Sequence, residues 1–113
     1  QMLKIAPNEP KIVYASLGRG EKKLLIYNHY DVQPVDPLEL WDSPPFEPTL
    51  RDGKLYARGI ADNKGHIMCR VQAIRAWLET MGELPLKINW FIEEKFTRPM
   101  KTFAWKIISR RCA

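Results

Sequence analysis

Apolar positions along the chain follow two different periods. Between residues 64 and 81 they fall at Ile67, Val71, Ile74, Leu78 and Met81, with Ala73 and Trp77 beside them. Steps of four and three residues put side chains on one stripe of a helix, so the spacing predicts a helix from about Lys64 to Met81. Asp62 or Asn63 is a candidate N-cap, and Gly82 is the residue that ends the helix. The other apolar runs are short. KIVYASL at 11–17 is β-branched and aromatic and stops at Gly18-Arg19-Gly20. KKLLIYN at 22–28 is more continuously apolar, so the pair predicts a strand, a Gly-rich turn and a buried strand. LKINWFI at 86–92, after Pro85, reads as a further strand. Asp52-Gly53 is a turn signal followed by a short candidate strand, KLYAR at 54–58.

Between these runs, residues 32–50 contain five prolines: Pro34, Pro37, Pro44, Pro45 and Pro48. That density excludes regular helix and central strand. It predicts a long ordered loop anchored by Trp41 and Phe46. Trp41, Phe46, Tyr56 and Trp77 read as core side chains rather than ligand-stacking ones. The order strand, strand, loop, helix, strand suits an α/β fold: a mixed sheet with a crossover helix.

The chain has 113 residues, enough for one small domain, and is 45% hydrophobic and 27% charged, which excludes a disordered chain. No apolar run approaches a membrane span, and QMLKIAPNEP lacks the core of a signal peptide, so a cytoplasmic location is expected. Cys69 and Cys112 form no CxxC and no zinc-finger spacing, which predicts reduced thiols. The net charge of +5 suggests nucleic acid until it is divided. Residues 1–94 hold 12 Lys and Arg against 13 Asp and Glu, a net of −1. Residues 95–113 hold six basic residues (Lys95, Arg98, Lys101, Lys106, Arg110 and Arg111) and no acidic one.

Some of the acidic residues have company. A zinc-type ion takes imidazole nitrogen and carboxylate oxygen. His29 and Asp31 follow the second strand, and residues two apart on an extended segment face the same side. Asp31 is placed to accept a hydrogen bond from one ring nitrogen while the other binds metal. Asp62 lies between a Gly-flanked turn and a helix start, where a carboxylate can bridge two ions. Glu93-Glu94 closes the last apolar strand and offers two more carboxylates, one to bind metal and one to take a proton from water. Spacing alone leaves plainer roles open: a polar strand end for His29, a helix cap for Asp62, and a solvated strand end for Glu93-Glu94.

The literal strings say more. HYDVQP at 29–34, W-x-S-P-P-F-E-P at 41–48, RDGKLYARG at 51–59 and ADNKG at 61–65 resemble the M20 metallopeptidase family, with its dipeptidase and carnosinase-like branch most similar. The resemblance covers roughly residues 11–92. It implies an α/β catalytic domain holding two Zn2+ ions, a smaller lid domain that often mediates homodimers, and a small peptide substrate. It implies that His29 binds one zinc, that Asp31 orients His29, and that Asp62 bridges both ions. It also implies a cis peptide between Asp62 and Asn63. His66 matches no family ligand and reads as an early helix residue facing solvent.

After Glu93-Glu94 the family's small-residue turn is missing. The resemblance makes Glu93 the general base and Glu94 a zinc ligand, with their register open. The division expected is therefore a partial catalytic domain at 1–94 and an aberrant basic tail at 95–113, read out of frame. Codons for Lys95 onward can be chosen so that a neighbouring frame gives an acidic string like the family's continuation, and the coding DNA decides the matter. The lid and the later ligands, a His and a carboxylate, are expected outside this chain. Weak metal binding, little peptidase activity by the chain alone, and an aggregation-prone sheet edge are the consequences. An amidohydrolase acting on N-acyl amino acids is the alternative within the family. A basic interaction module through 95–113 is the non-enzyme alternative; Phe103 and Trp105 suit it, but without a nucleic-acid motif neither nucleic acid nor membrane is expected as a partner.

Overall fold

The computed structural model describes residues 1–3 and 11–94. Its main sheet has four strands: β1 (Met2–Leu3), β2 (Ile12–Leu17), β3 (Lys23–His29) and β6 (Lys87–Glu93), in the spatial order β1-β2-β6-β3. β2 runs antiparallel to β1 and to β6, whereas β3 is parallel to β6, in a register that sets His29 beside Glu93. Parallel neighbours need a crossover, which here carries the proline-rich loop, a hairpin and a helix. The hairpin pairs β4 (Thr49–Arg51) with β5 (Lys54–Tyr56). Its turn residues Asp52 and Gly53 both have positive φ, 50° and 72°, as a two-residue hairpin turn of this hand requires. The helix, α1, spans His66–Met81, and the Gly82 amide closes it on Leu78 O at 2.9 Å. No helix among the described residues is long and apolar enough to cross a membrane.

The α/β class, the mixed sheet and the crossover helix agree with the sequence pattern. The core lies where β6 is flanked on both sides. Ile88, Trp90 and Phe91 of β6 and Ile12 and Tyr14 of β2 are buried, and the Tyr14 and Phe91 rings pack tilted by 40° at 4.8 Å between centroids. Each such side chain contributes about 1.5–3 kcal/mol by leaving water. A buried amide lies on each face of the sheet, Asn28 on the side of Trp90 and Asn89 on the side of Tyr14. Asn89 accepts the Tyr14 hydroxyl at 2.9 Å and that of Ser16 at 3.2 Å, so its burial leaves a paired group.

Several expectations need correction. β3 is not a buried strand: Leu24 and Leu25 are exposed, because among the described residues β3 has a neighbour on one side only. Trp41 does anchor the proline-rich loop, donating to Val35 O at 2.9 Å with the Arg58 guanidinium 4.8 Å above its ring. Phe46 does not, being 66% exposed, and Tyr56 and Trp77 are likewise outside the core. Neither Asp62 nor Asn63 caps α1. A looser turn over Ile60–Gly65 precedes the helix and is broken at Asp62, whose φ and ψ of −109° and 101° are extended, so Gly65 occupies the cap position. The tail at 95–113, Cys112 and the proposed domain division after residue 94 lie outside the described residues.

Candidate metal centre

β3 ends at His29, at the carboxyl end of the parallel pair, where α/β sheets place their sites. The ladder runs one residue further, as the Tyr30 amide donates to Glu93 O at 2.9 Å. Asp31 follows two residues after His29, with its carboxylate beside the ring. His29 Nδ1 lies 3.2 Å from Asp31 Oδ1 and 3.1 Å from Asp31 O. Both are acceptors, so a neutral ring donates through Nδ1 and keeps a lone pair on Nε2. Nε2 faces Asp62 Oδ1 at 3.2 Å. The imidazole side chain is only 12% exposed and that of Asp62 71%, so the pair opens outward.

Two electron-rich atoms at that distance call for a shared cation, either a proton on Nε2 or a metal ion. The spacing fits both, a hydrogen bond from a protonated Nε2 or two ligands on one ion. Ligands about 2.0–2.1 Å from a tetrahedral zinc stand about 3.3 Å from one another. Imidazole nitrogen with carboxylate oxygen is also the donor chemistry such an ion prefers. Asp62 is ready as an anion. The hydrogen bond from Asn63 Nδ2, 3.3 Å from Oδ1, is the main cause that holds its carboxyl below the usual range; partial desolvation opposes this, and His29 and His66 add to it. The Asp62–Asn63 peptide is cis, as the family resemblance implied.

The turn carrying Asp62 is fixed from below. Gly59 is buried with φ of 81°, and a Cβ there would collide with Val32. Glycine therefore lets the turn lie against the proline-rich loop. Lys64 Nζ donates to Tyr30 O at 3.0 Å, and Arg58 donates to Pro34 O at 3.1 Å. Together these segments wall a cleft of about 210 Å³ lined by His29, Gln33, Trp41, Arg58, Gly59 and Asp62.

The remaining sequence candidates sit differently. Glu93 is in register with His29 and accepts the Tyr27 hydroxyl at 2.7 Å through Oε1. Burial, and then that bond, push the Tyr27 phenol well above its ordinary value, so it stays a donor. Glu94 follows the strand and, by its charge, helps raise the Tyr30 phenol, after the larger effect of burial. It does not join His29 and Asp62: among the described residues, no three His, Cys, Asp or Glu converge as a metal would need. His66 opens α1, is exposed, and lies with Nδ1 3.2 Å from Asn63 Nδ2. Cys69 is a free, exposed thiol.

The sequence pattern passed over the residues behind the pair. Asn28 is 1% exposed and binds Asn63, Arg70 and Trp90. The signals were present. Asn28 closes an otherwise apolar run, and Arg70 is a cation on the helix's apolar stripe, three residues after Ile67 and four before Ile74.

This geometry can be set beside known proteins. Residues 25–95 match the peptidase family M20/M25/M40. The chain is 36% identical over 86 residues to the Beta-Ala-His dipeptidase of Rattus norvegicus, covering 74% of this chain and 18% of that protein. It is 46% identical over 66 residues to the succinyl-diaminopimelate desuccinylase of an Azoarcus species, covering 58% of this chain and 17% of that one. Among solved structures, an M20 family metallo-carboxypeptidase from Sulfolobus solfataricus superposes with a TM-score of 0.68 at 45% identity, over 74% of this chain and 19% of the other. This chain thus spans less than a fifth of the length of these relatives. Their names differ in substrate while matching here, so the matched stretch holds what they share. The family match over most of the chain shows that it belongs to peptidase family M20/M25/M40.

Proposed function

We propose that this chain carries the first ligands of a zinc-dependent peptidase centre that hydrolyses dipeptides or short peptides. The observation that carries this reading is the His29 ring held between Asp31 and Asp62, with Nε2 at the spacing of two ligands on one ion. His29 and Asp62 would hold a divalent ion, and Asp31 would keep the ring in the tautomer that leaves Nε2 as ligand. A bound ion of this type supplies Lewis-acid polarisation of the scissile carbonyl and acidifies water. A second ion would be held by Asp62 and Glu94, the residues the family resemblance implies for it. Glu93 is the group proposed to take the proton from the attacking water, with Tyr27 steadying its Oε1.

A zinc ion takes about four ligands, and His29 and Asp62 are two. The chain by itself is therefore proposed to hold metal weakly and to turn over peptide little. Identity to a desuccinylase favours a second reading, hydrolysis of an N-acyl amino acid by the same centre. Both reactions part an acyl carbon from nitrogen and ask the same of His29 and Asp62.

Titration calorimetry with Zn2+ tests the reading in the full chain carrying Cys69→Ser, which removes an exposed competing thiol. Weak binding that disappears in both His29→Ala and Asp62→Ala is expected. Binding unchanged by either substitution would overturn the assignment, and tight uptake of two ions would overturn the prediction of weakness.

A further inference from the structure

Asp62 is mostly exposed, yet its position is governed from the interior of the sheet. Asn28 Oδ1 accepts from Arg70 Nη1 and from Trp90 Nε1, the latter at 2.9 Å. Guanidinium and indole nitrogens only donate, so the Asn28 amide has one possible orientation. Its oxygen faces Arg70 and Trp90 and its Nδ2 faces the turn. Nδ2 must donate there, and it donates to Asn63 Oδ1. Asn63 is thereby oriented in turn. Its Nδ2 points away from Asn28 and donates to Asp62 Oδ1 at 3.3 Å, with His66 Nδ1 at 3.2 Å. The bonds form a directed line from Arg70 and Trp90 through Asn28 and Asn63 to the oxygen that faces His29. Arg70 also donates to Tyr27 O at 3.0 Å, which ties α1 to β3 one residue before Asn28.

We infer that Asn28 is a positioning residue, which sets the orientation of Asn63 and through it presents Asp62 Oδ1 to His29. The line contains both a helix residue and a central-strand residue, so it fixes the Asp62 turn against both elements. It rests on the proposed metal-binding role of Asp62 only for its consequence, namely that loosening the line weakens metal binding.

Polarity gives a test that volume alone would not. Asn28→Asp is nearly isosteric and still accepts from Arg70 and Trp90, but it cannot donate. Asn63 must then rotate its Nδ2 toward residue 28 and turn its oxygen to Asp62, which removes the donor that holds the carboxylate. The chain has two histidines, so their ring nitrogens are readily told apart by long-range 15N–1H NMR of the metal-free chain. Asp62→Ala supplies the reference shift of His29 Nε2. In Asn28→Asp and in Asn63→Ala the Nε2 signal is expected to move in the same direction, while Nδ1, held by Asp31, stays in place. Zinc affinity of both variants is expected to fall about 10–100-fold, as for outer-shell substitutions generally.

Backbone amide spectra report whether each variant folds. Asn63 is only half-buried, so Asn63→Ala decides the matter if Asn28→Asp fails to fold. Nε2 signals unmoved in the folded variants, with Asp62→Ala shifting them, would overturn the inference. An Asp62→Ala variant that leaves Nε2 unmoved would overturn it too, by removing the contact on which it is built. A wild-type chain that binds no zinc would overturn the metal reading instead, and the metal-free spectra would still decide the role of Asn28.

Discussion

The His29 rim and the apolar stripe of α1 are opposites within one small molecule. At the rim, polar groups are paired: buried Asn28 with three partners, half-buried His29 with Asp31 and Asp62, Glu93 with Tyr27. Along α1, apolar groups are exposed: Met68, Val71, Trp77, Leu78 and Met81, with Leu24 and Leu25 of β3. Among the described residues, the buried apolar side chains lie on β6 and on its neighbour β2. Polar groups in the interior cost stability unless bonded, so their pairing at the rim marks a place where orientation is specified. Uncovered apolar stripes specify nothing alone and favour association. The pair of His29 and Asp62 is thus built more completely than the surroundings that carry it.

That contrast can be broken at three depths. The largest effect is expected in the core. Phe91→Ala removes a ring packed on Tyr14 and should cost about 3–5 kcal/mol, measured as a shift in the denaturant midpoint. With small domains stable by about 5–15 kcal/mol, this alone brings the chain near unfolding. Asn89→Ala comes next. It takes the acceptor from the Tyr14 and Ser16 hydroxyls and should cost about 1–3 kcal/mol, although it replaces a polar residue by an apolar one. A neutral or stabilising result would show that the buried amides are not specifying anything. The smallest effect on stability is expected on the helix. Leu78→Lys should change the midpoint by no more than about 0.5 kcal/mol while reducing light scattering of concentrated samples. A large loss would mean that α1 is packed more tightly than its exposure indicates.

The same contrast explains what could be read in the sequence. Strands and helix were legible because a period of two or of three and four survives whether or not the face is covered. Burial was not, since KKLLIYN is as apolar as an inner strand and yet lies at an edge among the described residues. The cap at Asp62 misled for a related reason. A carboxylate before a helix resembles a cap by composition, but the extended backbone at Asp62 sends its side chain to His29 instead. The strand end and the two-residue spacing of His29 and Asp31 allowed a metal role without selecting it, and the strings around them supplied the assignment. The same was true of Asp62. Asn28 and Arg70 went unread because their partners lie 35 or more residues away, and no local rule joins them.

The account stands on His29 Nε2 as a metal ligand beside Asp62. Long-range 15N–1H NMR of the full chain during Zn2+ titration addresses that atom directly. The account predicts that Nε2 shifts on zinc addition while Nδ1 keeps its proton against Asp31, and that Asp62→Ala weakens the response. A response at Nδ1, or none at either nitrogen, would contradict it.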